Sequence, residues 1–295
     1  MMTAVDVLRR AINASLDDLL VALDLHPRGD LCFAVEPARS GASDRVLGGQ
    51  LVAQAVVGAS ATVIGKDIHS MHATFLRTGT PGVPLTIEVS RLRDGRSIAT
   101  RQVSVLEAGE PLLVAIASFA RFRADPDVTL SGPEVAPPEE TPLLQALVGG
   151  AASGRHWIEQ PPALDLRLPE PPSFLSGISA DNPRSHWMRL PRTVGADHAL
   201  NAALLAYASD FFLMDMLFRL HPQELEPGRA NGFSLDHAIW FHHPLVGNEW
   251  QLHDFRCEGL GTPRGLAVGQ VFSRQGHHLA TVAQEALLRP VPAEA

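Results

Sequence analysis

Three polar residues stand where the surrounding pattern calls for apolar ones. Asp210 falls in a stretch that reads as an apolar helix, between AYAS and FFLM. An ionised carboxylate in such a setting is costly unless it is hydrogen-bonded or paired. It is therefore a structural acceptor for a neighbouring loop, a carboxylate exposed at a helix end, or a base of perturbed basicity. Gln284 lies in HLATVAQEALL, where strand alternation gives it the same face as Ala280, Val282, Ala286 and Leu288. An amide aimed at a core needs several hydrogen-bond partners, and a carboxylate with a water would supply part of that demand. Ser234 opens SLDHAIWFH, on a strand face with Asp236, Ala238, Trp240 and His242. No GxSxG elbow accompanies it, so Ser234 suits holding a water better than attacking as a nucleophile.

These residues sit in the second half of a chain that repeats itself. Gly49–Ile64 reads beside Ala199–Met214, HSMHATFLR beside SLDHAIWFH, and AGEPLLVAIASFAR beside QGHHLATVAQEALLR. His72 pairs with His237, Ala117 with Gln284, and His69 with Ser234. A period of roughly 165 residues is too long for a solenoid and marks a domain duplication. One copy stays bland where the other gains Asp, Ser and Gln. The shared positions of His72 and His237 favour a common structural role.

The elements that must position these groups are legible in outline. Residues 4–24 have the apolar spacing of a helix, and LCFAVEP reads as a short strand. A second helix over Leu47–Ile64 is entered through Gly48-Gly49, and its centre is built of small residues that let a sheet wrap it closely. His69–Arg77, PLTIEVSRLRDG, SIATRQVSVLEAG and PLLVAIASFARF follow as strands of an antiparallel meander with an Asp-Gly turn. A Pro-rich acidic stretch, DPDVTLSGPEVAPPEETP, reads as a linker. The second copy supplies the strand SHWMRLP, a helix over 196–218 and four further strands. The expected division is an N-terminal helical segment at 1–30, a first unit at 31–124, a linker at 125–157 and a second unit at 158–292.

Composition narrows the classes of function. The 295 residues carry a formal charge of −8, with 45% hydrophobic and 19% charged residues. That balance supports two packed cores and argues against a nucleic-acid partner. A phosphorylated small ligand needs only a local basic patch. Arg91, Arg93 and Arg96 flank the first Asp-Gly turn and could meet phosphates, although a hairpin tip is ordinarily solvated. Cys32 and Cys257 show no spacing motif and read as buried thiols of a reducing compartment. The start of the chain has an amphipathic helix pattern and no signal-like apolar core. With no membrane-length apolar run, the expected location is cytoplasmic. His242-His243 and His277-His278 are adjacent pairs on strands, so each pair points to opposite faces and does not chelate one ion simply. No metal or cofactor is expected.

The ordered set LGGQLVAQA, HSMHATFLRTG, LRDGRS, AYASDF, SLDHAIWFH and ATVAQEALLR resembles the acyl-CoA thioesterase II family, the TesB type, from about Phe33 to Arg289. The resemblance implies an α+β double hotdog: two tandem units, each with a long central helix wrapped by an antiparallel sheet. It implies hydrolysis of fatty acyl-CoA by an Asp, Thr and Gln that orient a water, and an oligomer. Carried over, those positions are Asp210, Ser234 and Gln284, with Ser standing where the family has Thr. The expected mechanism is attack by a water that Asp210 deprotonates, with an anhydride formed on Asp210 left open. Gly48 and Gly49 are candidates for the oxyanion, and Gln50, His69 and Arg93 for substrate contacts. Two other functions share the pattern: a hotdog dehydratase or hydratase using Asp236-His237, and a non-catalytic acyl-CoA-binding protein.

Overall fold

The structure is a computed structural model that describes residues 3–36, 45–121, 130–149, 154–220, 230–244, 247–261 and 263–290. The chain opens with helix α1 (Ala4–Leu23), whose start is fixed by a capping box between Thr3 and Asp6. Strands β1 (His26–Gly29) and β2 (Cys32–Val35) follow, then α2 (Gly48–Ser60), β3 (Asp67–Phe75), β4 (Leu85–Asp94), β5 (Ile98–Glu107) and β6 (Glu110–Ala120). After three short helices, α3 (Leu144–Val148), α4 (His156–Glu159) and α5 (Ser173–Ser176), with β7 (Asp165–Arg167) among them, the pattern returns. It runs β8 (Arg184–Arg189), α6 (His198–Ser209), α7 (Asp215–Leu220), β9 (Ala230–Ser234), β10 (Asp236–Phe241), β11 (Gln251–Gly261), β12 (Arg264–Ser273) and β13 (His278–Pro290).

All described strands belong to one antiparallel sheet in the order β1-β2-β4-β5-β6-β3-β10-β13-β12-β11-β8-β7, with β9 pairing on β13. The order β2-β4-β5-β6-β3 is mirrored by β8-β11-β12-β13-β10. The two halves therefore meet edge to edge at β3 and β10, where Ala238 lies opposite His72. The join removes two edges that would otherwise be open to foreign strands. Alternation then selects the inner face. Met71 and Ala73 on β3, Ala115, Ala117 and Phe119 on β6, and Ala280, Val282 and Gln284 on β13 are all buried.

The inner face closes on α2 and α6. Every residue of α2 from Gly49 to Ala59 is buried, as expected of a helix that is apolar or small all round. The glycines permit that closeness: a methyl on Gly58 would meet Ile87 Cγ2 of β4 at 2.5 Å. The two helices run antiparallel. Gly49 near the start of α2 touches Tyr207 and Asp210 at the end of α6. Ser60 and Ala61 at the far end of α2 share a groove with Asp197 and Leu200 at the start of α6.

Two sequence expectations need correction. The helix expected over 196–218 is two helices broken by a turn at 210–214. Within the stretch taken as the linker, the short helix α3 buries Leu144 and Val148, and Trp157 joins an aromatic cluster. The pairing of His72 with His237 slips by one position: His72 is exposed and edges onto Trp240, whereas His237 is fully buried. A one-residue slip exchanges sheet faces, so the two histidines do not share a role. Among the described residues no helix is long and apolar enough to cross a membrane.

Candidate active site

Asp210 ends α6. Its backbone is still helical, but Phe212 two residues on has φ 69, a left-handed conformation that a bulky side chain rarely adopts. Such strain persists where surrounding packing enforces it. Here Trp157 stacks on Phe212 at 6.0 Å and meets Phe211 edge-on at 6.3 Å. The turn aims the carboxylate at the start of α2. That helix has no side-chain cap of its own, because Leu47 occupies the N-cap position. Asp210 Oδ2 fills the role from across the domain join, accepting the Gly49 N–H at 2.7 Å. An N-cap carboxylate is favoured by both the orphan N–H groups and the helix dipole. The opposite end of the helix pair is different. There α6 carries its own cap, Asp197, which accepts the Leu200 N–H at 2.8 Å. The pair is thus asymmetric at the point where the second copy gained its carboxylate.

Glycine is required at this contact. A methyl on Gly49 would lie 2.7 Å from the Tyr207 carbonyl oxygen and 2.8 Å from Asp210 Cβ; one on Gly48 would lie 3.2 Å from Asp210 Oδ2. The Gly49 N–H is committed to Asp210, which removes it from the oxyanion role expected of it.

Ser234 and Gln284 reach the same place from the sheet. Gln284 points inward from β13, 1% exposed, as alternation predicts. Ser234 ends β9 opposite Ala286, while Ala238 lies opposite Ala283. Four steps on one strand match three on the other, so a one-residue bulge sits between them at Leu235 and Asp236. Bulges re-aim side chains. Ser234 is not on a face with Asp236, Ala238, Trp240 and His242, as a continuous strand would have it. It turns inward with His237. Gln284 Nε2 donates to Ser234 Oγ at 2.6 Å.

His237, which sequence reasoning set aside, completes the arrangement. Its Nδ1 is 2.9 Å from Gln284 Oε1 and its Nε2 is 3.0 Å from Ser209 Oγ. His237 thus bridges Gln284 and Ser209, whose own hydroxyl donates to the Ala206 carbonyl at 3.0 Å. The imidazole therefore holds the Gln284 amide from the side away from Ser234. The alternation of His237, Ile239 and Phe241 against Ala238, Trp240 and His242 was the available signal for its inward orientation.

Burial pushes the Asp210 carboxyl above the usual carboxylate range; His237, the Gly49 N–H and the Gln284 amide act in the opposite direction. The residue is partly exposed overall, but Oδ1 is buried and accepts no hydrogen bond. The oxygen that Gly49 does not hold thus belongs to a residue that lines the cavity.

Asp210, Ser234 and Gln284 line one cavity of about 500 Å³, with Gly48 beside them and Trp157, Phe174, Phe211, Phe212 and Met214 as an apolar wall. Gly49 is at its edge through Asp210. Three other sequence candidates lie elsewhere. Gln50 is buried on α2 without lining the cavity. His69 sits at an irregularity of β3 between Ile68 and Ser70, its Nε2 buried and its pKa lowered by desolvation. It is six residues from the Phe75 end that borders the cavity, about 20 Å along a strand. Arg93 pairs with Thr100 at the far end of the β4–β5 hairpin, and its carbonyl accepts from Arg101. Asp236 spends its carboxylate on the Glu285 N–H at 2.7 Å and does not share a face with His237, so the two do not form the dyad a dehydratase would use. Among the described residues, no group of three His, Cys, Asp or Glu side chains is placed to hold a metal.

Family models decide the affiliation. The model described as the acyl-CoA thioesterase N-terminal domain matches residues 35–120, and the one described as the C-terminal domain matches residues 133–288. The chain belongs to the acyl-CoA thioesterase family. It is 32% identical to acyl-CoA thioesterase 2 of Haemophilus influenzae, over 93% of this chain and 98% of that one. It is 28% identical to acyl-coenzyme A thioesterase 8 of Rattus norvegicus, over 97% and 94%. Among solved structures, the tesB protein of Mycobacterium avium subs paratuberculosis superposes with a TM-score of 0.76 at 28% identity, covering 93% of this chain and all of that one. TesB2 from Mycobacterium marinum gives 0.75 at 28% identity, covering 92% and 98%. The fold is the double hotdog expected from the sequence, and the chain is a thioester hydrolase.

Proposed function

We propose that this enzyme hydrolyses fatty acyl-CoA to a free fatty acid and coenzyme A, with Asp210 as general base. The observation that carries the reading is the Asp210 carboxylate. One oxygen is fixed by the Gly49 N–H, the other is unpartnered, and burial raises its basicity, all beside the Ser234–Gln284 pair. Asp210 Oδ1 takes a proton from a water that Ser234 and Gln284 hold against the thioester carbonyl. The water oxygen bonds to the carbonyl carbon, and the C–S bond then breaks to release a thiolate. A thiolate is a good leaving group, so no strong acid is required at the sulfur. Gly48, at the first turn of α2, carries an N–H with no acceptor within the helix and borders the cavity; it is the backbone donor suited to the oxyanion. The catalytic groups belong to the second unit, taken as residues 158–292, but Gly48 and Gly49 come from the first, taken as 31–124. Each unit alone would therefore be incomplete.

The test is release of free thiol from palmitoyl-CoA. Ser234→Thr keeps the hydroxyl and is expected to match or exceed the parent; Ser234→Ala is expected to lose about tenfold or more in kcat. No acyl adduct on Ser234 is expected by mass spectrometry, and finding one would replace water attack with a covalent mechanism. His237 supports this reading as a hydrogen-bond partner that holds the Gln284 amide in place. His237→Asn keeps a polar group, able to donate or accept, beside Gln284 and should retain most of kcat. His237→Leu removes the hydrogen bond that holds the amide, and should lower kcat with little change in KM. Equal kcat in the two variants would remove the positioning role.

Cytoplasmic residence and self-association go with this proposal. Self-association is supported by an apolar patch on the outer face of the join, where Ile116 and Trp240 are 39% and 36% exposed on either side of His72.

A further inference from the structure

The formal charge of the chain is −8, yet the lining of the catalytic cavity has the opposite balance. Arg45, Arg77 and Arg289 border it, and Asp210 is the acidic residue among its lining. Arg77 is ion-paired with Glu110. Arg45 and Arg289 both pack on the ring of Phe233, with guanidinium carbons 4.8 and 5.9 Å from its centroid. Phe233 directly precedes Ser234 and stands opposite Leu287 on β13. Strand alternation therefore sends Ser234 inward to Gln284 and Phe233 to the outer face. The cavity thus has a catalytic end inside the sheet and a cationic, aromatic mouth outside it.

We propose that this mouth holds the phosphorylated nucleotide end of a coenzyme A thioester, with Arg45 and Arg289 as the phosphate-binding residues; the proposal rests on the acyl-CoA reading above. Guanidinium groups match phosphate oxygens in fork geometry, and an aromatic ring beneath them limits the side-chain freedom lost on binding. The dimensions agree. Arg289 is five residues beyond Gln284 on β13, about 17 Å of strand. The pantetheine arm from thioester sulfur to the first phosphate is about thirteen bonds, or about 15 Å when extended like a peptide backbone. A thioester carbonyl at Gln284 would thus bring its phosphates to the Arg289 end of the strand. The hairpin arginines Arg91, Arg93 and Arg96, the sequence-based candidates, are at the other end of their sheet half and do not border the cavity.

The experiment compares palmitoyl-CoA with S-palmitoyl-pantetheine, which keeps the thioester and arm but lacks every phosphate. In Arg45→Ala/Arg289→Ala the preference for palmitoyl-CoA, as the ratio of the two kcat/KM values, is expected to fall at least tenfold, carried by KM for palmitoyl-CoA. Adenosine 3′,5′-bisphosphate is expected to compete with palmitoyl-CoA in the parent and to lose at least tenfold in affinity in the double variant. Calorimetric titration of free coenzyme A into both proteins reads the same site without turnover. An unchanged ratio with unchanged coenzyme A affinity would overturn the proposal. Should the parent fail to hydrolyse palmitoyl-CoA, the functional reading falls, and the coenzyme A titration alone still decides the subsite. A thermal melt of the double variant within a few degrees of the parent establishes that the loss is not one of folding.

Discussion

Asp210→Asn is expected to lower kcat for thiol release by about 10²–10⁴-fold, the usual loss when a general base is removed, without loss of thermal stability. The two halves of that expectation have separate causes. Asn keeps a carbonyl oxygen to accept the Gly49 N–H, and Asn is as good a cap as Asp, so the join between α6 and α2 is preserved. It has no basic oxygen to take a proton from water. The stability half follows from the raised pKa of Asp210. A carboxyl whose folded pKa lies above its unfolded value binds its proton more tightly in the native state. Stability from this group is therefore highest below the unfolded value and declines as pH rises toward the folded one. At neutral pH the ionised carboxylate is a net cost that Asn removes, so the melting temperature at pH 7 should equal or exceed that of the parent. The parent should show an acid limb in kcat above the ordinary carboxylate range, and the variant should show none in its residual rate. Activity within threefold of the parent would remove Asp210 from the mechanism.

Each part of this site was legible in the sequence to a different degree, for physical reasons. Gln284 was readable because β13 is regular there, and strict alternation put its amide among buried Ala and Val side chains. Asp210 was conspicuous in an apolar run, but the turn that exposes it was not. Phe211, Leu213, Met216 and Leu217 continue an apolar pattern that fits an unbroken helix, and the break is set by packing against α2 and Trp157. Ser234 was assigned to the wrong face because a bulge adds one residue without any Gly or Pro to mark it. The same slip hid His237. The mate of Asp210 could not be read locally at all: Gly49 is 161 positions away, and its pairing exists only once both halves have folded together. Arg45 and Arg289 escaped for the same reason, being separated in sequence and joined at Phe233.

Gly49→Ala is expected to damage the fold and the base together. Its methyl would lie 2.7 Å from the Tyr207 carbonyl oxygen and 2.8 Å from Asp210 Cβ. The first is backbone that cannot rotate away, so α2 and α6 must separate. Overpacking of this kind costs about 1–3 kcal/mol of stability. Separation also lengthens the 2.7 Å bond from the Gly49 N–H to Oδ2, which favours the ionised form. Weakening it moves the Asp210 pKa further up, so the acid limb of the kcat profile should shift to higher pH as kcat falls. Gly58→Ala is the matched control. It lies on the same helix, and its methyl would meet Ile87 Cγ2 at 2.5 Å, yet it is more than two turns from Asp210. It should lower the melting temperature by a similar amount while leaving the acid limb in place. If both variants shift the limb equally, the effect comes from general loosening of the helix pair, and the cap supplied by α2 does not tune the base. If only Gly49→Ala shifts it, the join between the two units is itself part of the catalytic apparatus. That outcome would explain why a single hotdog unit, with only one of the two helices, could not present this carboxylate in its active form.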